Sequence, residues 1–405
     1  MFLAFLRRVR RMDRNMILFL CGMALLGGAG GMMETTFNNY VSDVFNLGAA
    51  ARGALEFPRE LPGFLTALFA GLLFFLPETR IAGFSALAVG FGLMGLAFIG
   101  PSWGGMLLFL TVWSAGAHLL MPVRSSIAME LASSVRRGRR LGQISATSIA
   151  AGIAGCAVVW AAMRWFQAGY GVIFVLGGVA ALAASVFLFA MRLPGAHLQR
   201  PKFVWRRGYW LYYVLALLFG ARKQVFITFG PWVLIRVFDQ PAWIFAQLWI
   251  VASVLGIFFQ PALGHAIDRF GERKVLMADS ALILLVCLGY GFADCLPDRR
   301  LALGLLYACF VGDNLLFGVN MARDTYLARI ATRKEDIAPT LSLGITINHV
   351  VSMSIPSLGG LLWLWYGHAS VFLATAGLAA LMGVFSALVK GTPPHEGAGR
   401  LPVRP

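Results

Sequence analysis

Apolar residues fall into long runs with polar residues confined to the breaks between them. The runs cover about 15–43, 53–77, 81–99, 104–131, 141–164 and 170–191. After a polar stretch they resume at about 208–235, 241–266, 274–292, 301–327, 338–364 and 369–389. About 20 largely apolar residues are enough for a helix to cross a bilayer core about 30 Å thick. Each run is therefore predicted to span, the longer ones with some tilt. The pattern predicts an all-α integral membrane protein of twelve transmembrane helices in two six-helix bundles. The bundles occupy 1–191 and 208–390, joined by a cytoplasmic linker over 192–207 that contains Pro194 and Pro201. The Gly- and Pro-rich tail 391–405 is expected to be disordered.

The basic residues sort by side. With both termini in the cytoplasm, Arg7, Arg8, Arg10, Arg11, Arg14, Arg80, Arg136, Arg137, Arg139 and Arg140 face inward. So do Arg192, Arg200, Lys202, Arg206, Arg207, Arg269, Arg273, Lys274, Arg329, Arg333, Lys334, Lys390, Arg400 and Arg404. Only Arg52, Arg164, Arg236, Arg299 and Arg300 fall outside, a ratio of 24 to 5. That excess of Lys and Arg in one set of loops orients the chain. The first run is too long for a signal-peptide core and is read as a retained helix.

Composition agrees with this reading. The 405 residues are 59% hydrophobic and 13% charged, with a mean hydropathy of +0.75, which excludes an ordinary soluble domain. The net charge of +16 sits in short connectors, so it speaks for orientation and not for nucleic-acid binding. The five cysteines have no metal-ligand spacing and read as small packing residues.

The two halves repeat each other. Leu25-Leu-Gly-Gly-Ala matches Leu217-Leu-Phe-Gly-Ala, Gly63 and Gly71 match Gly256 and Gly264, and Gly116-Ala-His-Leu-Leu-Met-Pro-Val matches Gly312-Asp-Asn-Leu-Leu-Phe-Gly-Val. The matches come in order and pair the first, second and fourth runs with the seventh, eighth and tenth.

Arg222 and Lys223 break the seventh run near mid-depth. Each cation there costs about 2.5–3.5 kcal/mol on insertion scales, a cost usually retained for a counter-charge, a substrate or an ion path.

Two six-helix halves, a basic central loop and a parallel repeat resemble the major facilitator superfamily. Its loop signature G-x-x-x-D-R-x-G-R-R/K is resembled by Gly264-His-Ala-Ile-Asp268-Arg269-Phe-Gly271-Glu-Arg273-Lys274 between the eighth and ninth runs. The resemblance implies gating roles there: Gly264 and Gly271 for close helix approach, Asp268, Arg269 and Arg273 for cytoplasmic ion pairs that latch one state. The first-half loop Gly71-Leu-Leu-Phe-Phe-Leu-Pro-Glu-Thr-Arg80 puts Phe75 where the aspartate is expected. Glu130, ahead of Arg136-Arg-Gly-Arg-Arg140, is similar to the family's connection after the fourth helix. Arg124 and Arg323, towards the cytoplasm, are expected to serve gating or packing. The drug-antiporter and monocarboxylate signatures are missing.

The fold further implies a solute site at mid-depth, lined by the first, fourth, seventh and tenth helices. Polar residues expected there to bind substrate are Asn38, His118, Arg222, Lys223, Gln224, Asp313 and Asn314, with Asn348 and His349 on the eleventh run. Glu34 and Asp313 are candidate proton carriers, because a partly desolvated carboxyl titrates near neutrality. Glu56, Arg59 and Glu60 read as a gate ion pair or a wetted rim nearer the outer surface. Neighbours on a helix point about 100° apart, so one of Arg222 and Lys223 is expected to meet the solute while the other pairs with an acid such as Asp313.

The expected activity is secondary transport of a small organic anion by alternating access, coupled to protons, in a monomer of the bacterial cytoplasmic (inner) membrane. Alternatives are export of amphipathic drugs or metabolites, and a non-transporting receptor or scaffold. No nucleophile–base set or phosphate-cradling loop supports an enzyme. No cofactor is implied. His118, His349 and Asp313 lie on separate runs, with no two ligands at i, i+4, so no metal site is expected.

Overall fold

The computed structural model describes residues 13–72, 76–131, 137–193 and 204–390, an array of helices joined by short connections. Most of the expected linker, the tail 391–405, Phe75, Arg136 and the cluster Arg7, Arg8, Arg10 and Arg11 lie outside the described residues. The first half holds α1 (Arg14–Phe45), α2 (Ala49–Ala54), α3 (Glu56–Leu72), α4 (Glu78–Phe98), α5 (Trp103–Glu130), α6 (Arg137–Trp165) and α7 (Tyr170–Phe189). The second holds α8 (Trp210–Arg236), α9 (Ala242–Phe292), α10 (Arg299–Leu316), α11 (Asn320–Ile330), α12 (Ile337–Tyr366) and α13 (His368–Ala387).

Among the described residues ten helical segments are long and apolar enough to cross a membrane. The difference from the twelve expected runs has two local causes. Of the run 53–77, α3 covers 17 residues up to Leu72, where the described residues stop before 73–75. The runs 241–266 and 274–292 form α9, which is continuous by hydrogen bonding but broken at Gly271 (φ 79°, ψ 159°), a left-handed conformation that favours glycine. The chain turns back there. Phe245 packs edge-on against Phe310, and a Cβ on Gly289 would lie 2.5 Å from the Cys309 sulfur. The two arms of α9 therefore meet adjacent residues of α10 at one depth.

The outer surface is apolar, with Phe258, Leu285, Leu358 and Val384 exposed, while Arg52, Glu56, Arg222, Asp279 and Asp313 are buried. That inversion of the soluble pattern is what helices in lipid require. Within the first half α4 packs on α5 and α7, and α1 packs on α6 and α7. Within the second α9 packs on α10 and α13, and α12 packs on α8.

The halves meet through α12 on α2 and α3, α9 on α6, and α1 on α9 and α8. At one end the seam is shut. A Cβ on Gly53 would lie 2.1 Å from the Pro356 carbonyl oxygen, and one on Gly360 would lie 2.6 Å from that of Ala49. Asn39 donates to the Gln240 carbonyl at 2.8 Å and Arg236 to Asn46 Oδ1 at 2.9 Å. At the opposite end the bonds of Asn15 with Arg192, Arg206 with Asp336 and Arg329 with Glu272 each stay within one half.

Candidate functional site

α8 carries both central cations about 18–20 Å along its axis from Trp210. They point different ways. Arg222, 1% exposed, turns into its own half, where Nη1 lies 3.6 Å from Asp279 Oδ1 on α9 and Nη2 donates to the Leu316 carbonyl at 3.4 Å. Its guanidinium sits 5.0 Å from the Phe219 ring centroid. Arg323 lies against the same ring at 3.7 Å and donates to the Leu215 carbonyl at 3.1 Å. Asp313 is buried beside this group, with Oδ1 lacking a hydrogen-bond partner. The acid paired with Arg222 is thus Asp279, which the sequence reading had passed over, and not Asp313. The one available signal was an acid inside the apolar run 274–292.

Lys223 is half-buried and interacts electrostatically with Glu60, Arg59 and Glu34 of the other half. Gln224, its neighbour, donates to Glu56 Oε2 across the seam at 2.7 Å. Glu56 also accepts from Arg52 Nη1 at 2.6 Å and from Arg59 Nη1 at 3.2 Å. Arg59 Nη2 reaches Glu34 Oε1 at 3.5 Å, and Arg52 Nε donates to Asn38 Oδ1 at 2.9 Å. Arg52 and Glu56, 0% exposed, are among the most deeply buried charges of the molecule.

The sequence had placed Arg52 in an outer loop and Glu56, Arg59 and Glu60 in a gate ion pair or at a wetted rim nearer the outer surface. The structure puts all four in the seam. α2 begins at Ala49, and Leu55 keeps helical angles (φ −64°, ψ −21°) between α2 and α3. Glu56 and Glu60 therefore lie a full turn or more deeper than a helix starting at Gly53 would set them.

His118 and His349 come together from opposite halves, their rings 5.0 Å apart and nearly perpendicular. Both face Glu60: His349 Nδ1 lies 3.0 Å from its Oε2 and His118 Nε2 lies 3.9 Å from the same atom. Asn348 is half-buried on α12, and its Oδ1 has no hydrogen-bond partner. Asn314 is satisfied by its own helix, donating to the Phe310 carbonyl at 2.8 Å.

The candidate gating residues do not form one assembly. Gly264 lies on α9 and Gly271 makes the break, whereas Asp268, Arg269 and Arg273 are exposed. Among the described residues Asp268 has no ion-pair partner within 4.0 Å. The ion pair in this region is Arg329 with Glu272, at 3.2 Å. Arg124 and Glu130 are exposed on α5, while Arg323 belongs to the buried Arg222 group.

The Major Facilitator Superfamily model matches residues 59–323. A comparison with curated proteins finds no match. Among solved structures, a variant of nucleoside transporter NupG superposes with a TM-score of 0.78 at 14% identity, over 93% of this chain and 100% of that one. A bacterial homolog to the human lysosomal transporter Spinster, inward-facing and occupied, gives 0.69 at 15%, over 92% and 96%. A D-xylose-proton symporter gives 0.67 at 15%, over 95% and 98%. Identities this low establish shared fold alone. With the family match covering well over half its length, the chain belongs to the Major Facilitator Superfamily, as a multi-pass integral membrane protein and a non-catalytic secondary transporter.

Proposed function

We propose that this transporter carries a small organic anion by alternating access between two six-helix bundles, 1–191 and 208–390, with Lys223 as the cation the solute meets. The observation that carries the reading is an imbalance in the seam. Arg52 and Arg59 already hold carboxylates, whereas among the described residues Lys223 has none within 4.0 Å. A compact ammonium at mid-depth suits a carboxylate or phosphate group. Gln224, Asn38, Asn348 and Asn314 are the neutral hydrogen-bonding groups assigned to the solute, and Asn314 can turn from its own helix to reach it. Asp313, buried with an unpartnered oxygen, is the carboxyl that takes up a proton as the anion enters, with Glu34 as the alternative in the first half. In the orientation set by the Lys and Arg bias, both termini are cytoplasmic. The shut end then faces outward, so the state is inward-facing, in a monomer of the bacterial inner membrane with twelve spans.

The test is a thermal-shift screen of organic anions and cations on purified protein, since a ligand of the folded state raises its stability. Anions stabilise the parent protein. Lys223→Ala weakens their binding at least tenfold, equivalent to about 1.4 kcal/mol. Unchanged anion binding in Lys223→Ala, or stabilisation by lipophilic cations alone, overturns the reading in favour of an exporter of amphipaths.

A further inference from the structure

Glu60, His118 and His349 present one donor atom each within 4.8 Å of one another. The hydrogen bonds around them fix what those atoms offer. His118 Nδ1 lies 2.9 Å from the Ser114 carbonyl oxygen, and the Ser114 hydroxyl donates to the Arg59 carbonyl. Nδ1 therefore carries the proton in the neutral ring, which leaves the Nε2 lone pair free, with Nε2 3.9 Å from Glu60 Oε2. A backbone carbonyl holding the far nitrogen of a histidine is the outer-shell arrangement that orients metal-binding imidazoles.

From the other half, His349 Nδ1 approaches the same Glu60 oxygen at 3.0 Å. One proton can serve that contact. It leaves the His118 lone pair facing a carboxylate 3.9 Å away. A divalent ion satisfies all three donors at once. Ligand bonds of about 2.1 Å in a tetrahedral site separate donor atoms by about 3.4 Å, a value that the 3.0 Å and 3.9 Å spacings straddle. Room for the two rings is built in at Gly63, one turn beyond Glu60. A Cβ there would come 2.5 Å from His349 Cε1 and 2.6 Å from His118 Cδ2.

We propose that Glu60, His118 and His349 bind a first-row divalent transition-metal ion of the Zn2+, Co2+ or Fe2+ class. Two imidazoles and one carboxylate suit such ions, and three protein ligands leave further positions open. Two ligands come from the first half and one from the second, so the bound ion stabilises the arrangement with one end shut. The site does not depend on the anion reading. Removing the neighbouring like charge in Lys223→Ala leaves metal affinity equal or higher.

The experiment uses the full-length carrier in detergent, stripped with a chelator and titrated with Co2+ alone, Zn2+ alone and Mg2+ alone. One equivalent of Co2+ is expected to give visible d–d bands that Zn2+ displaces and Mg2+ does not. Glu60→Gln and His349→Gln each weaken Co2+ binding at least tenfold, whereas His265→Gln, at an exposed position, leaves it unchanged. His349→Cys substitutes a thiolate ligand, so it retains the ion and adds a near-ultraviolet sulfur-to-cobalt charge-transfer band. That variant separates ligation from a structural role even if the glutamine variants fold poorly. Absence of saturable Co2+ binding in the parent, unchanged affinity in Glu60→Gln and His349→Gln, or a His349→Cys protein lacking the charge-transfer band overturns the proposal.

Discussion

Two groups of buried charge sit at similar depth in this transporter and differ in who owns their bonds. In the Arg222 group the partners Asp279, Asp313, Arg323 and the Leu215 and Leu316 carbonyls all belong to the second half. In the seam group, Gln224 bonds Glu56 and His349 bonds Glu60 across the halves. In the alternating access proposed above, the first group would travel intact and the second would have to be remade. Buried charge therefore has two uses here. One sets the stability of a bundle, and the other sets the preference between states.

The largest expected effect tests the first use. Arg222→Ala strands the Asp279 carboxylate and should cost about 3–5 kcal/mol of stability, read as lowered thermal unfolding with little change in the balance of states. Adding Asp279→Asn should recover much of that loss. No recovery would show that the two side chains are not a unit.

Gln224→Leu addresses the second use. It removes a donor to the Glu56 carboxylate only where the halves touch, so it should disfavour the present state by about 1.5–3 kcal/mol. Spin labels at Ser102 and Asp298, in exposed loops of opposite halves, should report a longer separation. If the distance distribution is unchanged, the cross-seam bond does not bias the equilibrium.

Gly53→Ala acts on the same equilibrium by shape alone. The new Cβ would meet the backbone oxygen of Pro356, 2.1 Å away, and overpacking of this kind costs about 1–3 kcal/mol. Those labels should again move apart, and an unaltered distance would mean that the seam yields without opening. The smallest effect is expected at exposed Asp268. Asp268→Asn should leave thermal stability within about 0.5 kcal/mol of the parent and slow only exchange with the opposite state. A large loss of stability would reveal a partner that it lacks here.

Much of this was legible in the sequence because membrane helices advertise themselves by length and by the cost of charge. The runs, the depth of Arg222 and Lys223, and the family signature at Gly264–Lys274 needed only local reading. Asp279 was missed because one acid inside the run 274–292 does not show which distant cation it meets, and only the folded chain brings it to Arg222. Arg52 was misplaced because a single arginine ahead of an apolar run reads as a loop cation, and only the early start of α2 buries it. The meeting of Glu60 with His349 had no local signal at all. Those residues are 289 apart, and only the docking of α12 on α3 brings them together.

The break at Gly271 has a consequence for how the protein is built. A straight helix of 51 residues would extend about 77 Å, more than twice the thickness of a bilayer core. One residue without a side chain turns that rod into a hairpin. In doing so it decides on which face of the membrane every later connection emerges, so the sidedness of the last third of the chain is written at a single α-carbon.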